Sequence, residues 1–71
     1  MYRLTEKEQK VPEYSYHEEF DTFEDAQERM RELYANVAYH SPCIITTKVH
    51  DRSAAVLLND GNEISWDIEE L

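Results

Sequence analysis

Three histidines and a single cysteine are the side chains here that could serve as nucleophile, base or metal ligand: His17, His40, His50 and Cys43. A nucleophilic thiol needs a base within hydrogen-bond reach, and nothing in this spacing brings a histidine to Cys43. The His40-x-x-Cys43 spacing suits one pair of zinc ligands, but zinc sites use two such pairs and the second is missing. We therefore predict no catalytic residue, no metal site and no cofactor, with Cys43 as a small buried thiol.

The size of the chain also argues against an enzyme. Seventy-one residues make a single domain, 1–71, with little room for the enclosed pocket that an enzyme usually needs. Gly61 is the only glycine, so a glycine-rich phosphate loop is excluded. A small enzyme or metal protein is therefore the least favoured of three functional hypotheses, behind a protein-binding protein and a homodimeric module.

The charge balance limits the partners that the protein can have. It has 16 acidic against 7 basic residues, a net charge of −9. Such a charge repels nucleic acid and anionic membranes and attracts basic protein surfaces. We predict no direct binding to nucleic acid and no membrane association. One cysteine and no signal peptide or long apolar run are typical of a cytoplasmic protein.

The acidic residues are segregated along the chain. Residues 13–28 contain seven acids and no Lys or Arg, and residues 53–71 contain five acids, again without a base. The segment between them, 29–52, holds four of the seven bases. If a strand at 14–19 lay beside a strand at 63–69, the two acidic segments would form one patch that also carries tyrosines.

Two interpretations of the first acidic segment remain open. Solvated charge at a helix start accounts for part of it, because Asp25 could pair with Arg29 and Glu28 with Arg31. A docking surface accounts for the rest, because tyrosine is enriched in protein interfaces. The predicted partner-binding residues are Glu13, Tyr14, Tyr16, Glu18, Glu19, Asp21, Glu24, Asp25 and Glu28.

One helix is predicted over residues 22–38. Apolar side chains recur there at spacings of three and four, which places them on one helical stripe. Thr22 followed by Asp25 is typical of a capping box. Pro42 disfavours a helical conformation of Ser41, so the segment Tyr39-His40-Ser41-Pro42 ends the helix after residue 38.

Three strands are predicted after the helix, at 43–50, 53–58 and 63–68. In the first, Cys43, Ile45, Thr47 and Val49 share one face. A three-residue loop, Asn59 to Gly61 with Gly61 in the left-handed region, and a two-residue Asp51-Arg52 turn set the register. The resulting pairs are Val56 with Ile64, Ala54 with Trp66, Val49 with Ala54, and Thr47 with Val56.

The N-terminal third is less regular. Residues 13–20 (EYSYHEEF) alternate as a strand does, and residues 2–9 could form a further strand, so that 1–12 is either an extra edge strand or a loose arm. The predicted fold class is therefore α+β, one helix packed on an antiparallel sheet in the order (β)βαβββ.

These features favour a small cytosolic protein that binds a protein with a basic surface, such as a nucleic-acid-binding complex. In size, acidity and lack of catalytic motifs the chain resembles the inhibitors that bacteriophages encode, including anti-CRISPR proteins and DNA mimics, a class with no shared motif. That resemblance implies action in the host cytoplasm. The alternative is a structural or regulatory homodimer that associates through an edge strand or through exposed residues such as Leu57 and Tyr14.

Overall fold

A computed structural model describes residues 1–40 and 44–71. In chain order the elements are β1 (Tyr2–Glu8), β2 (Ser15–Phe20), α1 (Phe23–His40), β3 (Ile44–Val49), β4 (Ser53–Leu58) and β5 (Glu63–Glu70). The strands form one antiparallel sheet in the order β2-β1-β5-β4-β3, with the helix packed on it. The predicted α+β fold is confirmed. Within the described residues, no helix is both long and apolar enough to span a membrane.

The helix begins where the sequence predicts. The backbone N–H of Asp25 donates to Thr22 Oγ1 at 3.2 Å, so Thr22 caps the helix. The helix runs through His40, two residues beyond the predicted end, and His40 Nδ1 donates to the carbonyl oxygen of Asn36 at 2.9 Å. This bond satisfies one of the free carbonyls of the last turn and so extends the helix. The predicted terminator, Pro42, lies outside the described residues.

The two hairpins after the helix confirm the predicted register. Gly61 has a φ of +90°, the left-handed conformation that its loop requires. Its N–H donates to the carbonyl oxygen of Leu58 at 3.1 Å, and the N–H of Leu58 donates to the carbonyl of Asn62 at 2.9 Å. The observed pairs include those predicted: Val56 with Ile64, Ala54 with Trp66, Val49 with Ala54, and Thr47 with Val56.

Strand β3 departs from the prediction at its first residues. Ile44 pairs with Leu58 and Thr46 with Leu57, so the register shifts between Ile44 and Thr46. Because of this bulge, Ile44 lies on the core side together with Thr47 and Val49. The predicted inward position of Cys43, and the side chain of Ile45, lie outside the described part of the chain.

The N-terminal segment is not a loose arm, and its predicted edge position is wrong. Strand β1 lies inside the sheet, between β2 and β5. Leu4 explains this position, because it is fully buried and lies opposite Ile68 on β5. The chain ends also meet, since the N–H of Leu71 donates to the carbonyl of Met1 at 2.9 Å.

The core lies between the helix and one face of the sheet, which we call the helix face. Trp66, Leu4, Met30 and Val56 are its largest fully buried side chains. Burial of each of the three non-aromatic side chains stabilises the fold by about 1.5–3 kcal/mol. The opposite face of the sheet has no helix over it among the described residues, and we call it the open face.

Candidate protein-docking surfaces

Four of the predicted partner-binding residues lie together at the start of the helix. Asp21 precedes the helix, and Glu24, Asp25 and Glu28 lie in its first turns; all four are exposed. Because Ala26 is fully buried against the sheet, the helical period turns these three carboxylates outwards. We call Asp21, Glu24, Asp25 and Glu28 the acidic ridge.

The predicted local ion pairs of the ridge do not form. Arg29 pairs instead with Glu18 of β2, through Nε at 3.2 Å, and with Glu32, through Nη1 at 3.1 Å. Arg29 points to the side of the helix that faces β2, which brings it to Glu18 and turns it away from Asp25. None of the ion pairs between described residues involves the ridge; the nearby Arg52 guanidinium lies over the ring of Phe23, 5.3 Å from its centroid.

Tyr16 and Glu18 join β2 to the helix. The Tyr16 hydroxyl donates to Glu18 Oε1 at 2.6 Å, on the oxygen that Arg29 also contacts. These two donors hold the pKa of Glu18 below its usual value, the Tyr16 bond contributing most. The same hydrogen bond raises the pKa of Tyr16. Both side chains are half-buried, which favours a role in holding the fold together over one in docking.

Tyr14 takes part in a second network that the sequence did not indicate. Its hydroxyl donates to Glu6 Oε2 at 2.6 Å, while Trp66 Nε1 donates to Glu6 Oε1, also at 2.6 Å. The bond to the Glu6 carboxylate raises the pKa of Tyr14 to about 12. Glu6 was not predicted as a site residue, although it shares its strand parity with Leu4, and a carboxylate in that position faces the core side.

The remaining predicted residues lie away from the ridge. Glu13 is exposed in the connection between β1 and β2. Glu19 lies on the open face, where Arg3 contacts it at 3.2 Å and also contacts Glu69 of β5 at 3.7 Å. Strand β1 thus separates β2 from β5 and places a cation between their carboxylates. Because β2 and β5 are not neighbouring strands, the two acidic segments do not merge into one patch.

The open face also carries a histidine between two hydroxyls. His17 Nε2 lies 2.7 Å from Ser15 Oγ, and His17 Nδ1 lies 3.1 Å from Thr5 Oγ1. These hydroxyls use both ring nitrogens, and the surrounding surface is a shallow depression bordered by Lys7 and Asp67. Among residues 1–40 and 44–71, no group of three or more His, Cys, Asp or Glu side chains could hold a metal ion.

Comparison with protein-family models, curated proteins and solved structures finds no match to the chain.

Proposed function

We propose that the protein acts by binding: its acidic ridge docks on a basic surface of another protein. The main observation behind this proposal is that the four carboxylates of the acidic ridge are exposed on one side of the helix. The neighbouring cation Arg29 contacts Glu18 and Glu32 instead of the ridge. Among the described residues the ridge carboxylates form no ion pair, so they present negative potential to an approaching partner.

The chemistry of the ridge also suggests the class of partner. Surfaces that bind nucleic acid are rich in Lys and Arg, and much of their affinity comes from phosphate contacts. A row of carboxylates can occupy such a surface in place of phosphates. We therefore propose an inhibitor or regulator of a nucleic-acid-handling protein in the cytoplasm, of the kind that phages encode. The net charge of −9 supports this, because it accelerates encounter with a basic partner.

The test compares two variants of equal net charge. The ridge variant carries Glu24→Gln, Asp25→Asn and Glu28→Gln. The control variant carries Glu63→Gln, Asp67→Asn and Glu70→Gln on β5. Each removes three negative charges, which takes the net charge from −9 to −6, so that only the location of the change differs. Amide replacements keep the side-chain shape, and circular dichroism checks that the helix is retained.

The partner is first captured from host lysate at low salt with the unaltered protein and then purified. We expect the ridge variant to associate with it about tenfold more slowly and with a weaker salt dependence, and the control variant within about twofold of the original. The unaltered protein should also displace nucleic acid from the partner. Equal losses in both variants would show that only the overall charge matters, and unchanged binding by the ridge variant would refute docking through the ridge.

A further inference from the structure

Strand β3 is an edge of the sheet that the other described residues leave uncovered. It has one neighbouring strand, β4, and the helix packs across β1, β2, β4 and β5. Thr46, Thr47, Lys48 and Val49 are all exposed, although they alternate between the two faces of the sheet. Residues 44–49 are nevertheless rich in β-branched side chains, which are typical of paired strands.

On its outer side, the backbone of β3 has hydrogen-bonding groups in a defined pattern, with no partner among the described residues. The N–H of His50 donates to the carbonyl of Ser53 at 2.7 Å, so this pair is a hydrogen-bonded one. Bonded and non-bonded pairs alternate along an antiparallel ladder, which makes Lys48 the next residue bonded to β4. The N–H and C=O groups of Thr47 and Val49 therefore point outwards, to the open edge.

Charge distinguishes this edge from the opposite one. The outer strand β2 carries Glu18 and Glu19, and the arginine that contacts each of them is shared with a second carboxylate. Two copies that met there would therefore bring an excess of negative charge together. Residues 44–50 contain no carboxylate at all. In a protein with a net charge of −9, β3 is the edge at which two copies can approach without opposing their acidic side chains.

We infer that β3 pairs antiparallel with β3 of a second copy, centred on Thr47. In this register Thr47 lies opposite its own counterpart as a hydrogen-bonded pair, and Lys48 lies opposite Thr46 rather than opposite Lys48. The two sheets become one continuous sheet with its two-fold axis perpendicular to it. This dimer is independent of the proposed function, because the acidic ridge is on the helix and not on β3. A pair of six-residue strands is a small interface, so we expect the dimer to dissociate on dilution.

Amide hydrogen exchange tests the pairing at residue level. As the protein concentration rises through the range in which sedimentation shows a dimer, protection of the Thr47 and Val49 amides should increase about tenfold or more. The Lys48 amide is the internal control, because its bond to β4 exists in the monomer as well. A monomer at every concentration would overturn the inference. So would a dimer whose new protection lies in β2, or protection of β3 that requires a foreign macromolecule.

A proline at the centre tests the same register by mutation. Thr47→Pro removes the outward N–H and leaves the bonds of Lys48 to β4 in place. Each dimer loses two hydrogen bonds, so the dissociation constant should rise about 30-fold, while Thr47→Ser, which keeps the N–H, should change it less than about threefold. Retained protection of the Lys48 amide shows that the variant is folded. A folded Thr47→Pro variant that dimerises as before would refute pairing through β3.

Discussion

Glu6→Ala should strongly destabilise the protein, because Glu6 is the shared acceptor of two aromatic side chains. Its carboxylate receives the Trp66 Nε1–H and the Tyr14 hydroxyl, each at 2.6 Å. Trp66 is fully buried, so its N–H depends on the Glu6 carboxylate for an acceptor. Tyr14 is 38% exposed and can hydrogen-bond to solvent instead.

The magnitude follows from this difference in exposure. An unsatisfied buried donor costs about 1–3 kcal/mol, and the loss of the more exposed Tyr14 bond costs about 1 kcal/mol. We therefore expect Glu6→Ala to lower the free energy of unfolding by about 3 kcal/mol. A domain of 71 residues has a total stability of roughly 4–11 kcal/mol. The variant thus loses between about a quarter and most of the stability of the protein.

Urea unfolding followed by far-ultraviolet circular dichroism measures this loss without depending on Trp66 fluorescence, which the substitution itself alters. Glu6→Gln keeps one acceptor oxygen and should cost about 1–2 kcal/mol. Glu8→Ala is the matched control: Glu8 lies on the same strand and face but accepts no side-chain hydrogen bond among the described residues, so its loss should stay below about 0.5 kcal/mol. If Glu6→Ala costs no more than Glu8→Ala, the network does not stabilise the fold as we argue.

Three further predictions concern single side chains. Because the pKa of Tyr14 is raised from 10.0 to about 12, its stabilising effect should be complete below pH 10 and disappear as the pH rises to about 12. Partial exposure of Tyr14 limits this effect to about 1 kcal/mol. The prediction is contradicted if the difference in free energy of unfolding between the original protein and Tyr14→Phe does not vary over this pH range. Gly61→Ala should cost about 1 kcal/mol from backbone strain alone, since the added Cβ would meet only Lys10 Cε, at 3.8 Å. In urea unfolding, Gly61→Asn should lower the free energy of unfolding by less than Gly61→Ala. If Gly61→Ala is as stable as the original protein, the backbone at this position is not strained for other residues. Thr22→Ala should cost about 1 kcal/mol by freeing the Asp25 N–H, whereas Thr22→Ser, which keeps the cap, should not.

The parts of the fold that were predicted from sequence depend on local interactions. Gly61 determines the β4–β5 loop, and a correct loop leaves one register that keeps Val56 and Ile64 on the same face. The helix start follows in the same way from Thr22, because a capping side chain acts on the backbone three residues away. In each case the residues that decide the structure are only a few positions apart, so the sequence contains the whole interaction.

The parts that were missed depend on residues that are distant in sequence. The central position of β1 is one such part: Glu6 interrupts the apolar alternation of this strand, and the Trp66 N–H, sixty residues away, helps to account for a carboxylate at that position. Likewise Arg29 had an acidic neighbour within one helical turn, but the packing of the helix on β2 offered it Glu18. Half-buried Glu18 benefits more from a cation than exposed Asp25 does, because water screens the latter.

The two proposed interfaces are compatible because they use different layers of the molecule. Pairing through β3 about an axis perpendicular to the sheet keeps both helices on the same face, since residues directly opposite each other in a ladder share a face. The acidic ridges of both copies would then point in the same direction, away from the sheet. A basic surface long enough to contact both ridges would bind the dimer more tightly than the monomer. Once the first ridge is bound, the second is held nearby at a high effective concentration. Pairing through β2 would set Glu18 and Glu19 against their counterparts, so the segregation of charge along the chain favours self-association at one edge and partner binding at the helix start.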